Sequence, residues 1–162
     1  MSYFFNFEKM EYVRGERPSG CILCLIRDHS PEVVDLSVWT DEHFTVTVNL
    51  YPYNPGHLMI FPNRHIEDIR DLSPREEERL TWLTRQTLDL LDEVYRPSAY
   101  NVGYNMGASA GASIDHVHLH VIPRYPHEIG IADLVAGKRV LIENPQNTQH
   151  RMSEAFAQLT DV

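Results

Sequence analysis

Between Asn105 and Arg124 the chain reads NMGASAGASIDHVHLHVIPR, and its centre, His116-Val117-His118-Leu119-His120-Val121, admits few conformations. Side chains of a strand alternate between two faces. In a strand, His116, His118 and His120 share one face, and Val117, Leu119 and Val121 take the other. A helix would scatter the imidazoles over about 400° of arc at 100° per residue. The β-branched valines also favour the strand. A single buried histidine is often a hydrogen-bonded core residue, but three abreast have no good packing explanation.

An imidazole offers a nucleophile, an acid–base or a metal ligand near neutral pH, and its ordinary pKa of about 6.5 leaves it mostly neutral at pH 7. The preceding loop, Gly107 to Ser113, is all Gly, Ala and Ser. Such a loop can bring backbone N–H groups, here those of Ala108 to Ser113, close to an anion. Imidazoles beside an N–H-rich loop suggest phosphoryl or nucleotidyl chemistry.

At 162 residues the chain is long enough for one domain with a real core. A net charge of −9 argues against a nucleic-acid or anionic-membrane surface, and means that a polyphosphate site needs locally concentrated donors. No apolar run approaches a membrane span, and the N-terminus carries acids without a signal-peptide core. With two cysteines and no secretory signal, the cytoplasm is the expected compartment.

The expected fold is α+β: a five-stranded, mostly antiparallel sheet with one long helix and short N-terminal and C-terminal helices. Residues 1–20 form an arm whose Phe4, Phe5, Phe7 and Tyr12 need covering. A domain core spans 21–126, and an extension, 127–162, packs on the same domain. Leu36–Thr40 and Phe44–Asn49 alternate as a hairpin around Asp41-Glu42, and His57–Phe61 is a third strand ended by Pro62. Asn49 and His57 flank the intervening Pro/Gly loop; turn capping alone would also account for Asn49. Ser73, Pro74 and Glu76 open the long helix with a capping box, Leu80, Leu83, Thr87, Leu90, Leu91 and Val94 mark its apolar stripe, and Pro97 stops it. Tyr100–Met106 is a fourth strand and the histidine strand a fifth. A short apolar run follows at Arg139–Ile142, and Gln149–Leu159 is a terminal helix showing Met152, Phe156 and Leu159.

Cys21 and Cys24, three apart at the start of a short helix through Arg27, have the spacing for one shared metal ion. A redox pair and two inert buried thiols are the alternatives.

The run His-φ-His-φ-His-φ-φ-Pro-Arg resembles the signature of the histidine-triad (HIT) family of nucleotide hydrolases and transferases. Gly111-Ala112-Ser113-Ile114 sits where that family has Gly-Gln-Ser/Thr-Val, and Asn49 to Leu58 resembles its second conserved block. The resemblance implies attack on a nucleotide α-phosphate by His118, through a covalent nucleotidyl-histidine. His120 then assists the phosphate oxygens or the leaving group, and His116 orients the site. It assigns substrate contacts to Asn49, His57, Asn105, Gly111 and Ser113, and a base pocket to Leu23 and Ile26. It supplies two further metal ligands, His65 and His116, to Cys21 and Cys24, which makes a structural zinc. It also implies a homodimer.

Within the family, Asn105-Met106-Gly107, the Ala110-Gly111-Ala112 loop, Met10-Glu11-Tyr12 and the C-terminal extension resemble the diadenosine tetraphosphate phosphorylase-like branch, whose acceptor is phosphate rather than water. Ala112 stands where many hydrolases have glutamine. Residues 125–132 depart from that branch's pattern, which leaves the acceptor open. A nucleotide-binding sensor without turnover, and an enzyme using all three histidines as metal ligands, are the readings from other classes.

Overall fold

The computed structural model of the chain describes residues 18–126 and 143–159. The aromatic residues of the N-terminal arm, the Arg139–Ile142 run and most of the C-terminal extension lie outside the described residues. Among the described residues ten elements follow in order: α1 (Ile22–Arg27), β1 (Ser37–Thr40), β2 (Phe44–Val48), β3 (Leu58–Pro62), a 3-10 turn (Ile69–Asp71), α2 (Pro74–Tyr95), β4 (Ala99–Tyr104), a second 3-10 turn (Ala108–Ala110), β5 (Leu119–Arg124) and α3 (Pro145–Phe156). The five strands form one sheet in the order β1-β2-β3-β5-β4, and every pairing is antiparallel. The fold is the α+β arrangement that the sequence pattern indicates.

The register sorts side chains onto two faces. Val46 pairs with Ile60, Val48 with Leu58, and Leu58 with Val121. These residues join Leu80, Leu83, Leu90 and Leu91 of α2 and Met152 and Phe156 of α3 in the main core. Burying each such side chain stabilises by about 1.5–3 kcal/mol. On the opposite face Met59 and Phe61 pack against Leu23 and Ile26 of α1. Thr45 and Thr47 belong to that face too, and both are buried. Alternation alone reads as one wet face, but central strand β2 is covered on both sides. Thr45 answers this by donating its hydroxyl to Asn63 Oδ1 at 2.8 Å, as a buried hydroxyl must.

α2 begins as its sequence dictates. The Ser73 hydroxyl accepts from the Glu76 N–H, and the Glu76 carboxylate accepts from the Ser73 N–H. Arg96 ends it in the left-handed region at φ 49°, just before Pro97. Gly56 shows why the loop before β3 is fixed. Its φ is +80°, and a Cβ there would lie 3.1–3.2 Å from Tyr95, Leu91 and Pro123. Asn54 pins the same loop by donating to the Pro123 carbonyl at 2.7 Å.

Two boundaries differ from expectation. β5 starts only at Leu119, so His120 alone of the three histidines lies within a paired strand. Its neighbour β3 pairs with it only from Leu58 to Ile60, and upstream Val117 donates instead to the Ile66 carbonyl in the loop beyond β3. α3 starts at Pro145, four residues before Gln149, because Asn144 caps it by accepting from the Gln146 N–H.

Candidate active site and metal centre

All three histidines lie on the face of Met59, Phe61 and α1, but their neighbours differ. His120 is in register with Met59, and His116 meets the Phe61 ring edge-on at 5.5 Å. The rings of His118 and His120 are 4.8 Å apart, whereas His116 lies 4.9 Å from the ring of His65.

His116 belongs to a group of four. Cys21, Cys24, His65 and His116 bring their ligand atoms within 4.8 Å of one another, and this is the one such His/Cys group among the described residues. Cys21 is the residue before α1 and Cys24 lies one helical turn along, so both sulphurs face the same point. The Cys21 sulphur is 3.3 Å from His116 Nδ1, and the Cys24 sulphur is 3.4 Å from His65 Nδ1 and 3.6 Å from His116 Nδ1. Bonds of about 2.3 Å to sulphur and 2.0–2.1 Å to nitrogen set these atoms about 3.5 Å apart around a tetrahedral zinc. The donor set fits such an ion. Its protonation fits too. His116 Nε2 donates to the Pro62 carbonyl at 2.8 Å, so the neutral ring presents Nδ1 as a lone pair to the sulphurs. Burial holds His116 neutral, with its pKa pushed down to about 4, and burial together with neighbouring Cys21 pushes the Cys24 thiol up to about 11. The Cys24 thiol, which resists ionising, beside the neutral His116 ring leaves the group short of positive charge, which a divalent cation supplies.

The second group carries a fixed set of protons. His118 Nδ1 donates to the His116 carbonyl at 2.7 Å, which leaves Nε2 as the unprotonated nitrogen of the neutral ring. His57 is fully buried and reaches the site through His120 rather than by an exposed face of its own. The Tyr53 N–H donates to His57 Nδ1 at 3.1 Å, so the His57 proton sits on Nε2 and points to His120 Nδ1 at 3.0 Å. The His120 proton therefore sits on Nε2. Asn49 Nδ2 is 3.5 Å from His57 Nε2, and two donors face each other there, so the shorter contact decides. Asn49 Oδ1 accepts from the Tyr51 N–H at 2.9 Å. Burial, with His118 adding a smaller effect, pushes the His120 pKa down to about 4.

A cavity of about 290 Å³ opens beside His118. Leu23, Ile26, Leu36, Val48 and Met59 form its apolar walls, and Asn49 and Ser113 join His118 on its polar side. Sequence reasoning placed Leu23, Ile26, Asn49 and Ser113 here but missed Val33, Leu36 and Met59. Those come from the 28–36 loop and from β3, and nothing local in their sequence separates a cleft wall from a core residue. Asn105 lines a separate hollow with Gly107, Ala112 and His116, and Gly111 turns the loop at φ +88° without lining the cleft.

Of the loop N–H groups from Ala108 to Ser113, three are engaged within the loop itself: Ala110 and Ala112 donate to the Gly107 carbonyl and Gly111 to that of Ala108, where the positive φ of Gly107 and Gly111 closes a 3-10 turn. Ser113, beyond the turn, is the loop residue that lines the cleft.

The HIT domain family model matches residues 30–127, three-fifths of the chain. The chain belongs to the HIT family. AP-4-A phosphorylase of Mycobacterium tuberculosis (strain H37Rv) is 36% identical over 111 residues, which cover 68% of this chain but 57% of that protein. The match thus spans little more than half of that relative's length. An uncharacterized HIT-like protein, MG132, of Mycoplasma genitalium is 31% identical over 130 residues, 79% of this chain and 91% of its own length. The crystal structure of a Zn-bound histidine triad family protein from Mycobacterium smegmatis shares the fold with a TM-score of 0.66. It does so at 22% identity over 86% of this chain and 94% of its own. No helix among the described residues of this HIT protein is long and apolar enough to cross a membrane.

Proposed function

We propose that this HIT protein transfers a nucleotidyl group from a dinucleoside polyphosphate or nucleoside phosphoramidate through a covalent intermediate on His118. One observation carries the reading: the His116 carbonyl takes the His118 Nδ1 proton, which leaves Nε2 with its lone pair on a ring that lines the cleft. The base lies against Leu23 and Ile26, the ribose meets Asn49, and Ser113 faces the α-phosphate. The Nε2 lone pair of His118 attacks the α-phosphorus, and an N–P bond forms. The P–O or P–N bond to the leaving group breaks with its electron pair on that group, which takes any proton it needs from solvent, while the neutral His120 Nε2–H donates a hydrogen bond to the oxygens that gain charge. An acceptor then attacks phosphorus, the N–P bond returns its pair to His118, and the acceptor's proton goes to solvent. His57 keeps the His120 proton on the correct nitrogen throughout.

The similarity to AP-4-A phosphorylase favours inorganic phosphate over water as the acceptor. Cys21, Cys24, His65 and His116 hold a zinc ion. With four protein ligands it cross-links α1, the loop after β3 and the histidine segment, and does no chemistry on substrate. Thiols kept free for a metal suit a reducing compartment, here the cytoplasm. The outer edge of β4 has no strand partner among the described residues and exposes Val102, which supports a homodimer joined at that edge.

The test is product analysis by mass. The protein is incubated with dinucleoside polyphosphates and phosphoramidates, with and without inorganic phosphate. Phosphate-dependent ADP supports the phosphorylase reaction, and AMP in plain buffer supports hydrolysis. No product under either condition, with nucleotide still bound, leaves a sensor without turnover and sinks the proposal.

A further inference from the structure

We propose that the Arg64–Glu76 ion pair is the positioning device for the metal ligand His65, so that the long helix α2 sets metal affinity. The inference rests on the zinc reading given above. The two histidine ligands are held in different ways. His116 is buried and anchored through its far nitrogen by the Pro62 carbonyl. The side chain of His65 is 43% exposed, and its far nitrogen comes no closer than 3.9 Å to the Glu67 carboxylate. An imidazole without such an anchor depends on its backbone for position. That backbone lies between β3 and the 3-10 turn, outside any helix or strand.

Several contacts hold it, among them the Asn63 N–H on the His43 carbonyl at 2.7 Å. Arg27 Nη1 donates to the Asn63 carbonyl at 2.6 Å, and the Val117 N–H donates to the Ile66 carbonyl at 2.7 Å. Between them the Arg64 guanidinium meets Glu76 through Nε and Nη2, both at 2.9 Å, and Nη2 also reaches the Asp71 carbonyl. Glu76 is buried and also accepts from the N–H and hydroxyl of Ser73, each at 2.8 Å. A planar fork on a carboxylate so held fixes orientation as well as distance. Capping α2 needs only Ser73 and the Glu76 side chain. The fork goes beyond the cap and ties this carboxylate to the residue next to His65.

Metal affinity, measured by competition with a chromophoric chelator, separates positioning from helix stability. Arg64→Ala is expected to weaken zinc binding by about 10–100-fold, the usual loss for an outer-shell partner. It should also disturb the visible absorption of the cobalt-substituted protein. Arg64→Lys, which keeps the charge but not the fork, should fall between. Asn144→Ala removes the cap of α3, away from the metal group, and should lower the melting temperature while leaving affinity and cobalt spectrum unchanged. Wild-type affinity and spectrum in Arg64→Ala, or an equal loss in Asn144→Ala, overturns the inference. Wild-type protein that takes up no zinc or cobalt overturns the metal reading beneath it, a distinct result.

Discussion

His116 and His118 stand two residues apart, and both are buried, yet alanine at each should fail in a different way. Removing the His116 ring leaves the buried Pro62 carbonyl without its donor, which costs about 1–3 kcal/mol. It also opens a hole against Phe61 that costs roughly 2 kcal/mol more, by analogy with large-to-small core changes. Zinc at 1,000 times its dissociation constant stabilises by a further ~4 kcal/mol, and a three-ligand site loses most of it. The total, about 7–9 kcal/mol, rivals the whole stability of a domain this size. His118 borders the cleft, where water can fill the space its ring leaves, so His118→Ala should cost only about 1–2 kcal/mol. Urea unfolding of both variants, with zinc and with chelator, reads the difference. The gap between them should be about 6 kcal/mol with zinc and shrink by about 4 in chelator. His118→Ala should meanwhile lose turnover while keeping nucleotide affinity within about tenfold, because the proposed mechanism forms the bond to His118 only after the substrate is bound. A gap that ignores zinc, or turnover surviving in His118→Ala, refutes the division of roles.

The Arg64 guanidinium and the Ser73 donors hold the Glu76 pKa down at about 2, from the usual 4.5. The stability it contributes is therefore complete above pH 4.5 and lost as pH falls toward 2, so the gap between wild type and Glu76→Gln in unfolding free energy should close over that window. His57→Phe should leave the His120 proton free to move to Nδ1 and lower kcat by about tenfold or more, with nucleotide affinity little changed; loss of affinity with kcat intact would place His57 on the substrate instead. Gly56→Ala combines a positive φ with three contacts under 3.3 Å, and should destabilise by about 1–3 kcal/mol in a thermal melt, without touching metal content. No Lys or Arg is among the described residues lining the cleft, so nucleotide affinity measured by calorimetry should change less than about threefold between 50 and 200 mM salt; a steep salt slope would point to a basic phosphate site elsewhere.

Much of this was written locally in the chain. The capping box of α2, its apolar stripe and the period-two run of β2 each encode their element within a few residues. The three-residue spacing of Cys21 and Cys24 put two sulphurs at one point of a helix start. Properties that depend on a distant neighbour were not legible. β5 begins at Leu119 because β3 stops pairing there, which no residue of β5 announces. The Asn144-Pro145 start of α3 is a local signal, but the apolar stripe that drew attention begins later, at Met152. Gly107 and Gly111 suggest an anion-binding loop by their identity, and only their dihedral angles show that the N–H groups of Ala110, Gly111 and Ala112 turn back on the loop. The partner of the buried Thr45 hydroxyl, Asn63, lies 18 residues away and is announced by nothing in β2.

The same period-two rule that aligns the three rings explains why they differ. The alternation continues upstream of β5, where His116 and His118 lie outside the paired strand, so each ring meets a different neighbour. His116 meets two thiols and His65, His118 meets the cleft, and His120 meets His57. His116 then serves twice. Its ring belongs to the metal group while its carbonyl holds the His118 proton at 2.7 Å. A displacement of the ring that turned this peptide would leave His118 Nδ1 without its acceptor and free the proton to sit on Nε2, the nitrogen that attacks in the proposed mechanism. The candidate metal group and the proposed nucleophile are therefore linked through one residue's side chain and backbone, over a path of covalent bonds and a single hydrogen bond.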